Sequence, residues 1–247
     1  MYDVLGGLVF SYLFEGLTRE DVEPLAVSAR TRELVRGEYL CHLGDPAHEL
    51  YVVVSGQLKT SVVDADGREL IHQVHGPGMT VGEPGFFAVE QTRIVEVIAV
   101  APSVVIRLGR RELVPFMQRH GSVKDRALEG LASATRWQTT MISSLLSRPL
   151  SDRLLLVLLE LLDSGPDRRT GPSVTSKVSQ STLASMLGVS RENVNRALAA
   201  LAVEGKVGQD NGRYLLVDEP RLRRELARDW PLARRRDQPP GQDPAPQ

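Results

Sequence analysis

Residues 179–201, SQSTLASMLGVSRENVNRALAAL, constrain the fold most, because they read as two short helices around a glycine turn. Leu183, Met186 and Leu187 fall at i, i+3 and i+4, one apolar face of a helix. Gly188 supplies a cheap left-handed exit, and Val189 plugs the turn. Ser190 stands at an N-cap position, its hydroxyl placed to accept a free backbone N–H of the next helix. That helix carries Val194, Ala197, Leu198 and Leu201 on one side, and Arg191, Glu192, Asn193, Asn195 and Arg196 on the other. The pattern predicts a helix-turn-helix, in which the second helix buries one side and offers the other to a major groove.

The polar side has suitable chemistry. An Arg donates two hydrogen bonds to guanine O6 and N7, and a Glu accepts one from cytosine N4. Arg191 and Glu192 occupy the first turn, where a recognition helix meets base edges, and Arg196 lies one turn on. The competing reading is the solvated face of an ordinary helical hairpin. The cap, the turn and the Arg-Glu pair together favour DNA, with Ser179, Ser190, Arg191, Glu192, Asn195, Arg196 and Arg213 as the candidate contacts.

Residues 190–196, Ser-Arg-Glu-Asn-Val-Asn-Arg, resemble the recognition-helix signature of the cyclic-AMP receptor protein/fumarate-nitrate regulator (Crp/Fnr) superfamily of bacterial transcription factors. The resemblance runs from about Arg36 to Val217. It implies an α+β chain with an N-terminal β-roll (a jelly-roll-like cyclic-nucleotide-binding fold), a long dimerisation helix and a C-terminal winged helix-turn-helix. The expected boundaries are a sensor over 1–120, the dimerisation helix over 121–147, the DNA-binding domain over 148–220, and a basic helix with a disordered tail over 221–247. It also implies a homodimer, double-stranded DNA with an inverted repeat of half-sites akin to TGTGA, and RNA polymerase as a further partner.

Glu33 to Leu108 is consistent with such a sensor. Segments 50–54, 57–63, 69–74, 94–100 and 104–108 favour strand by β-branched content, and Asp66-Gly67 marks a hairpin. Many short strands at close spacing imply a small barrel or sandwich. Within it, Val81-Gly82-Glu83-Pro84-Gly85-Phe86-Phe87 followed by Gln91-Thr92-Arg93 resembles the family's phosphate-binding cassette. A glycine-opened helix offers free N–H groups to a phosphate, and an Arg adds charge-assisted hydrogen bonds. The resemblance implies Gly82, Glu83 (ribose hydroxyl) and Arg93 (phosphate) as ligand contacts, with cyclic AMP or a related cyclic nucleotide as the effector.

Two residues depart from the family pattern: Ile94 stands where cyclic-AMP binders carry Ser or Thr, and Pro84 removes an N–H donor. Thr92 points to the opposite face from Arg93 if strand alternation holds. An internal Glu83–Arg93 salt bridge is the alternative to a ligand site, and both readings stay open here. So does Cys41-His42, a haem axial ligand or, on the plainer reading, a buried thiol beside a surface His. His72 and His75 read as strand-surface residues, and no His or Cys cluster suggests a metal.

Residues 110–118 read as a short helix and 121–146 as a long one. Along the latter, Val123, Ala127, Leu131, Ala134, Gln138, Met141 and Leu145 recur at alternating four and three, a coiled-coil seam. The same stripe could pack on its own β-roll, and Leu128, Thr135 and Ile142 form a second stripe. The resemblance places Gln138 and Thr139 near the ligand's base. Ser147-Arg148-Pro149 breaks the helix and forms a hinge. Residues 150–162 predict a buried helix, 164–177 a loop with Val174 and Val178 in a short strand, and 220–230 a basic helix with Leu222 and Leu226 inward. Two strand-like runs around Asp210-Asn211-Gly212 predict the wing, with Lys206 and Arg213 in reach of phosphates. At the N-terminus, Thr18 with Glu20 and Asp21 reads as a helix cap.

The 247-residue chain has a net charge of only −1, unpromising for a polyanion partner until it is divided. Residues 1–147 carry 14 Lys and Arg against 18 Asp and Glu, net −4, whereas residues 148–236 carry 16 against 11, net +5. The basic segment has the sign that phosphate contacts need. One cysteine excludes an internal disulfide framework and a cysteine-ligated iron–sulfur cluster. The sequence predicts no membrane span and no signal peptide, hence a cytoplasmic protein. It contains no phosphate-loop motif with Lys, no nucleophile elbow and no paired catalytic carboxylates, so no enzyme is expected.

Overall fold

The computed structural model describes residues 3–163, 174–175 and 177–228. Helix α1 (Val4–Phe10), a short 3-10 helix (Tyr12–Phe14) and α2 (Arg19–Ser28) lead into the strands. These are β1 (Arg30–Leu34), β2 (Tyr39–Cys41), β3 (Glu49–Ser55), β4 (Leu58–Val63), β5 (Glu69–His75) and β6 (Thr80–Val81). After the small helix α3 (Glu83–Phe87) come β7 (Glu96–Ala99) and β8 (Ser103–Gly109). Then follow α4 (Arg110–Arg119), the 27-residue α5 (Gly121–Ser147) and α6 (Leu150–Asp163). The chain continues through α7 (Gln180–Leu187), α8 (Arg191–Val203), β9 (Val207–Asp210), β10 (Arg213–Leu216) and α9 (Glu219–Arg228).

Two four-stranded sheets, ordered β1-β8-β3-β6 and β2-β7-β4-β5, form the β-roll. Leu40, Val53, Leu58, Val97 and Val105 from both sheets share one core. All five expected strands are present. Strands β1, β2 and β6 are additional, and short or charged segments such as Arg30–Leu34 give no alternation to detect. The Asp66-Gly67 hairpin forms, with Gly67 at φ 76° and the Asp64 carboxylate accepting from the Asp66 and Arg68 N–H groups.

On the outer face of β3 and β8 the N-terminal helices bury Leu8, Leu13, Phe14, Val22 and Leu25. Thr18 and Asp21 form a reciprocal capping box at the start of α2. Val123 and Ala127 of α5 belong to this same core, at 1% and 2% exposure. The alternative left open from the sequence holds for part of the seam: Val123 and Ala127 pack on their own chain and Met141 against the C-terminal core, whereas Leu145 stays exposed. The second stripe also faces outward, with Leu128 at 55% and Ile142 at 64% exposure, beside Gln138 and Leu145 of the first.

The C-terminal core is built on α6, whose Leu154 to Leu159 run is buried as the sequence predicts. Leu183, Leu187, Val194, Leu198 and Leu201 of α7 and α8 pack against it. Ile71 and Val74 of β5 join this core, and Trp137 Nε1 donates to the His72 carbonyl at 3.2 Å. Helix α9 buries Leu222 and Leu226, and Arg223 reaches both oxygens of Asp163 at 2.7 and 3.1 Å. Among the described residues Val174 and Val178 form no strand. Val174 makes one bridge to Leu215, and the Val178 N–H donates to the Gly212 carbonyl at 2.9 Å. Nearly all of the expected 164–177 loop, and the tail from Trp230 on, lie outside the described residues.

The surface assignment of His75 is also corrected, since this ring is only 6% exposed. The chain turns back over the end of β5 into β6, so His75 Nδ1 meets the Thr80 carbonyl at 3.0 Å and Nε2 lies 3.4 Å from Thr60 Oγ1. His72 is half-buried.

Candidate functional site

The candidate DNA-contact face is built from local capping. Ser179 Oγ accepts from the Thr182 N–H at 3.0 Å and starts α7, which Gly188 ends at φ 64°. Ser190 Oγ accepts from the Asn193 N–H at 3.2 Å and starts α8. With Val194, Leu198 and Leu201 buried, α8 leaves Arg191, Glu192, Asn195 and Arg196 exposed. The backbone N–H of Glu192 and the Ser190 hydroxyl hold the Glu192 carboxyl below its ordinary range, keeping it an acceptor. Arg196 donates to Asn193 Oδ1 one turn back.

A groove of about 410 Å³ separates the starts of α7 and α8 from the wing, lined by Ser179, Gln180, Ser181, Arg191, Gln209 and Gly212. The wing tip is a tight turn with Asn211 and Gly212 at φ 48° and 78°, and Arg213 is exposed beside it. Lys206 is otherwise engaged, 2.9 Å from Glu204 and 3.8 Å from Glu225. The groove brings Ser179, Arg191 and the wing together on one side. This arrangement can hold a phosphate backbone while the start of α8 reaches base edges.

In the β-roll, Gly82 adopts φ 107° at the start of α3, where a side chain would be strained and would meet the Arg93 guanidinium. Gly85 is equally confined, since a Cβ there would lie 2.3 Å from the Thr92 carbonyl. Arg93 is 4% exposed; Nη1 donates to the Gly82 carbonyl at 3.1 Å and Nη2 to the Glu49 carbonyl at 2.6 Å. Its carbon Cζ sits 5.1 Å over the Tyr51 ring, and Nε is buried with no partner among the described residues. Thr92 and Ile94 are exposed on either side of it, the alternation expected.

Glu83 makes its side-chain hydrogen bonds with Thr80 and Tyr12. Its Oε1 accepts from the Thr80 hydroxyl and lies 3.4 Å from Tyr12 Oη. Burial raises the Glu83 carboxyl above its ordinary value, against hydrogen bonds from Thr80 and Tyr12 and the Arg93 charge. The Glu83–Arg93 salt bridge considered from the sequence does not form, because each group bonds elsewhere. A buried guanidinium N–H with no partner among the described residues, beside a glycine that admits no side chain, suits an anion, and Glu83 suits a hydroxyl donor. Tyr12, Thr80 and Tyr51 escaped sequence reasoning. Thr80 stands three residues from Glu83, but Tyr12 is 71 residues away, with no local signal.

Gln138 and Thr139 are exposed on α5, and the Thr139 hydroxyl returns to the Thr135 carbonyl at 2.9 Å. Cys41 is 6% exposed and burial pushes its thiol up to about 11, while His42 is exposed and stacks on Tyr39 at 4.4 Å. This is the buried thiol beside a surface His. Among the described residues no group of His, Cys, Asp and Glu could hold a metal ion, and no helix is long and apolar enough to cross a membrane.

A β-roll joined through a long helix to a helix-turn-helix with a wing is the architecture of a transcriptional regulator. Residues 31–120 match the cyclic nucleotide-binding domain family, and residues 152–225 match the Crp-like helix-turn-helix domain family. The chain is 30% identical over 216 residues to the CRP-like cAMP-activated global transcriptional regulator of Mycobacterium tuberculosis, covering 83% of this chain and 94% of that protein. It is 31% identical over 218 residues to the cyclic AMP receptor protein of Thermus thermophilus, covering 88% and 97%. The solved structure of the c-di-GMP-responsive global regulator CLP of Xanthomonas campestris matches with a TM-score of 0.63 at 25% identity, covering 81% of this chain and 99% of that one. The chain belongs to the Crp/Fnr superfamily of transcriptional regulators.

Proposed function

We propose that this regulator is a homodimer that reads an inverted-repeat DNA site and whose affinity for it is set by a cyclic nucleotide at Gly82, Glu83 and Arg93. The observation that carries the reading is the outward face of α8, where Arg191, Glu192, Asn195 and Arg196 are exposed opposite a buried apolar side. Arg191 and Arg196 are the candidate guanine donors and Glu192 the cytosine acceptor. Ser179 and Arg213 hold phosphates on either side of the groove. Two such helices related by a two-fold axis enter successive major grooves about 34 Å apart.

The exposed stripe of α5 supplies the dimer contact, with Gln138 and Thr139 within it. Arg93 would hold the ligand's phosphate and Glu83 its ribose hydroxyl, and a ligand that favours the DNA-competent dimer shifts the population toward it. The protein acts in the cytoplasm, with RNA polymerase as its partner at the promoter and no catalysis of its own. The sequence divisions at 120, 147 and 220 follow the sensor, dimerisation helix and reader of this scheme.

A second reading has its own support: both Arg93 Nη atoms already hold backbone carbonyls, as in a ligand-independent regulator with a vestigial pocket. Selection of duplexes from a random pool should return an inverted repeat; a pool with no two-fold symmetry overturns the dimeric reader. Calorimetry with cyclic AMP, cyclic GMP and c-di-GMP should give heat that Arg93→Ala abolishes. No heat from any of the three leaves the ligand-independent regulator.

A further inference from the structure

The 3-10 helix Tyr12–Phe14 is fastened on three sides. Ser11 Oγ and the Tyr12 N–H both donate to the Gly78 carbonyl, at 2.9 and 3.2 Å, just before β6. Phe14 packs edge-on against Phe116 of α4 with ring centroids 6.0 Å apart. Glu15, the next residue, pairs with Arg126 of α5 at 3.1 Å and accepts from Arg126 Nε through its carbonyl at 3.3 Å.

From this platform the Tyr12 hydroxyl reaches the cassette and α5 at once. It lies 2.9 Å from Thr80 Oγ1 and 3.4 Å from Glu83 Oε1. It also occupies the space above Gly130, where a Cβ would fall 2.5 Å from Tyr12 Oη. Glycine at position 130 is therefore what lets a phenol from the sensor touch the long helix, and the phenol ends on the carboxylate of the cassette.

We propose that Tyr12 is a positioning residue that couples Glu83 to α5, its hydroxyl bridging the cassette carboxylate and the helix surface at Gly130. Glu83 is shared between Thr80, Tyr12 and whatever hydroxyl it accepts from outside. A change in its hydrogen bonding alters the position that Tyr12 prefers, and the close contact at Gly130 passes that change to α5. The inference rests on the reading of Glu83 as a ligand residue, but its test needs no ligand.

The test is a pair of double-mutant cycles in the full chain. In the first, affinity for the selected duplex is measured without nucleotide for wild type, Glu83→Gln, Tyr12→Phe and the double variant. The expected result is a shift of about fivefold or more for Glu83→Gln alone, falling below about twofold when Tyr12→Phe is present. In the second, thermal stability is measured for Gly130→Ala in both backgrounds. The added methyl should cost less with Tyr12→Phe, whose nearest ring atoms stay 3.5 and 3.7 Å away. Additive behaviour in the first cycle, or a Glu83→Gln substitution silent on DNA affinity, overturns the coupling. Equal Gly130→Ala effects in the two backgrounds overturn the contact. Nucleotide calorimetry on wild type separately decides the ligand reading, so the two failures are distinct.

Discussion

Arg148 Nη2 donates to the Leu226 carbonyl at 2.7 Å, so the residue where α5 gives way to α6 is fastened to the last turns of α9. The Arg148 side chain is 5% exposed and also faces Asp152 at 3.7 Å. The α5–α6 junction is thus clamped to the C-terminal core. Arg148→Ala should lower unfolding stability by about 2 kcal/mol, the cost of losing a buried charged donor and orphaning its acceptor. Urea denaturation of the full chain checks this. A midpoint equal to wild type would show the clamp to be energetically idle.

Protonation should reach the β-roll through His75. Burial holds its imidazole down to about 4, despite the Thr80 carbonyl, whereas the unfolded chain titrates near 6.5. The unfolded state therefore binds the extra proton first. The contribution is whole above pH 6.5 and lost as pH falls toward 4, roughly 3 kcal/mol in all. Glu83 opposes it, since its raised value means the folded chain takes up that proton first. The stability gap between wild type and His75→Gln should shrink between pH 7 and pH 4.5, as read by thermal unfolding.

Assembly should depend on the outward residues of α5, drawn from both stripes, and folding on the buried ones. Leu128, Leu131, Thr135, Gln138, Ile142 and Leu145 alternate at three and four along the outward side. Ile142→Glu should weaken the dimer at least about tenfold in sedimentation equilibrium, or roughly 1.4 kcal/mol. Val123→Ala should instead lower thermal stability by about 1–3 kcal/mol without moving the dimer constant. The opposite outcome would move the dimer contact to the side of α5 that carries Val123.

Base reading should fail selectively at Arg191. Arg191→Ala should cost about 1–3 kcal/mol on the selected duplex and relax preference at one position. Binding assays on the selected and a scrambled duplex separate this from a phosphate contact, for which both lose equally.

The reader was legible because its signals are local. Ser179, Ser190 and Gly188 act through neighbours within three or four residues, so caps and turn could be placed before any tertiary contact was known. The wing turn at Asn211-Gly212 and the hairpin at Gly67 are equally local. The cassette was only half legible: Gly82, Glu83 and Arg93 stand out by type, but their hydrogen-bond partners come from distant strands and helices. Glu49 lies 44 residues from Arg93, and Tyr12 lies 71 from Glu83.

Sequence alone determined the reader helices, the turns and the longer strands, because backbone preference and side-chain periodicity act over a few residues. Tertiary structure alone decided which residues of the two stripes on α5 meet the β-roll, that His75 is buried, and that Glu83 bonds to Thr80 and Tyr12 rather than pairing with Arg93. The physical reason is shared. Each of those outcomes depends on what chain-distant surface fills the neighbouring space, and a periodic pattern cannot name its partner.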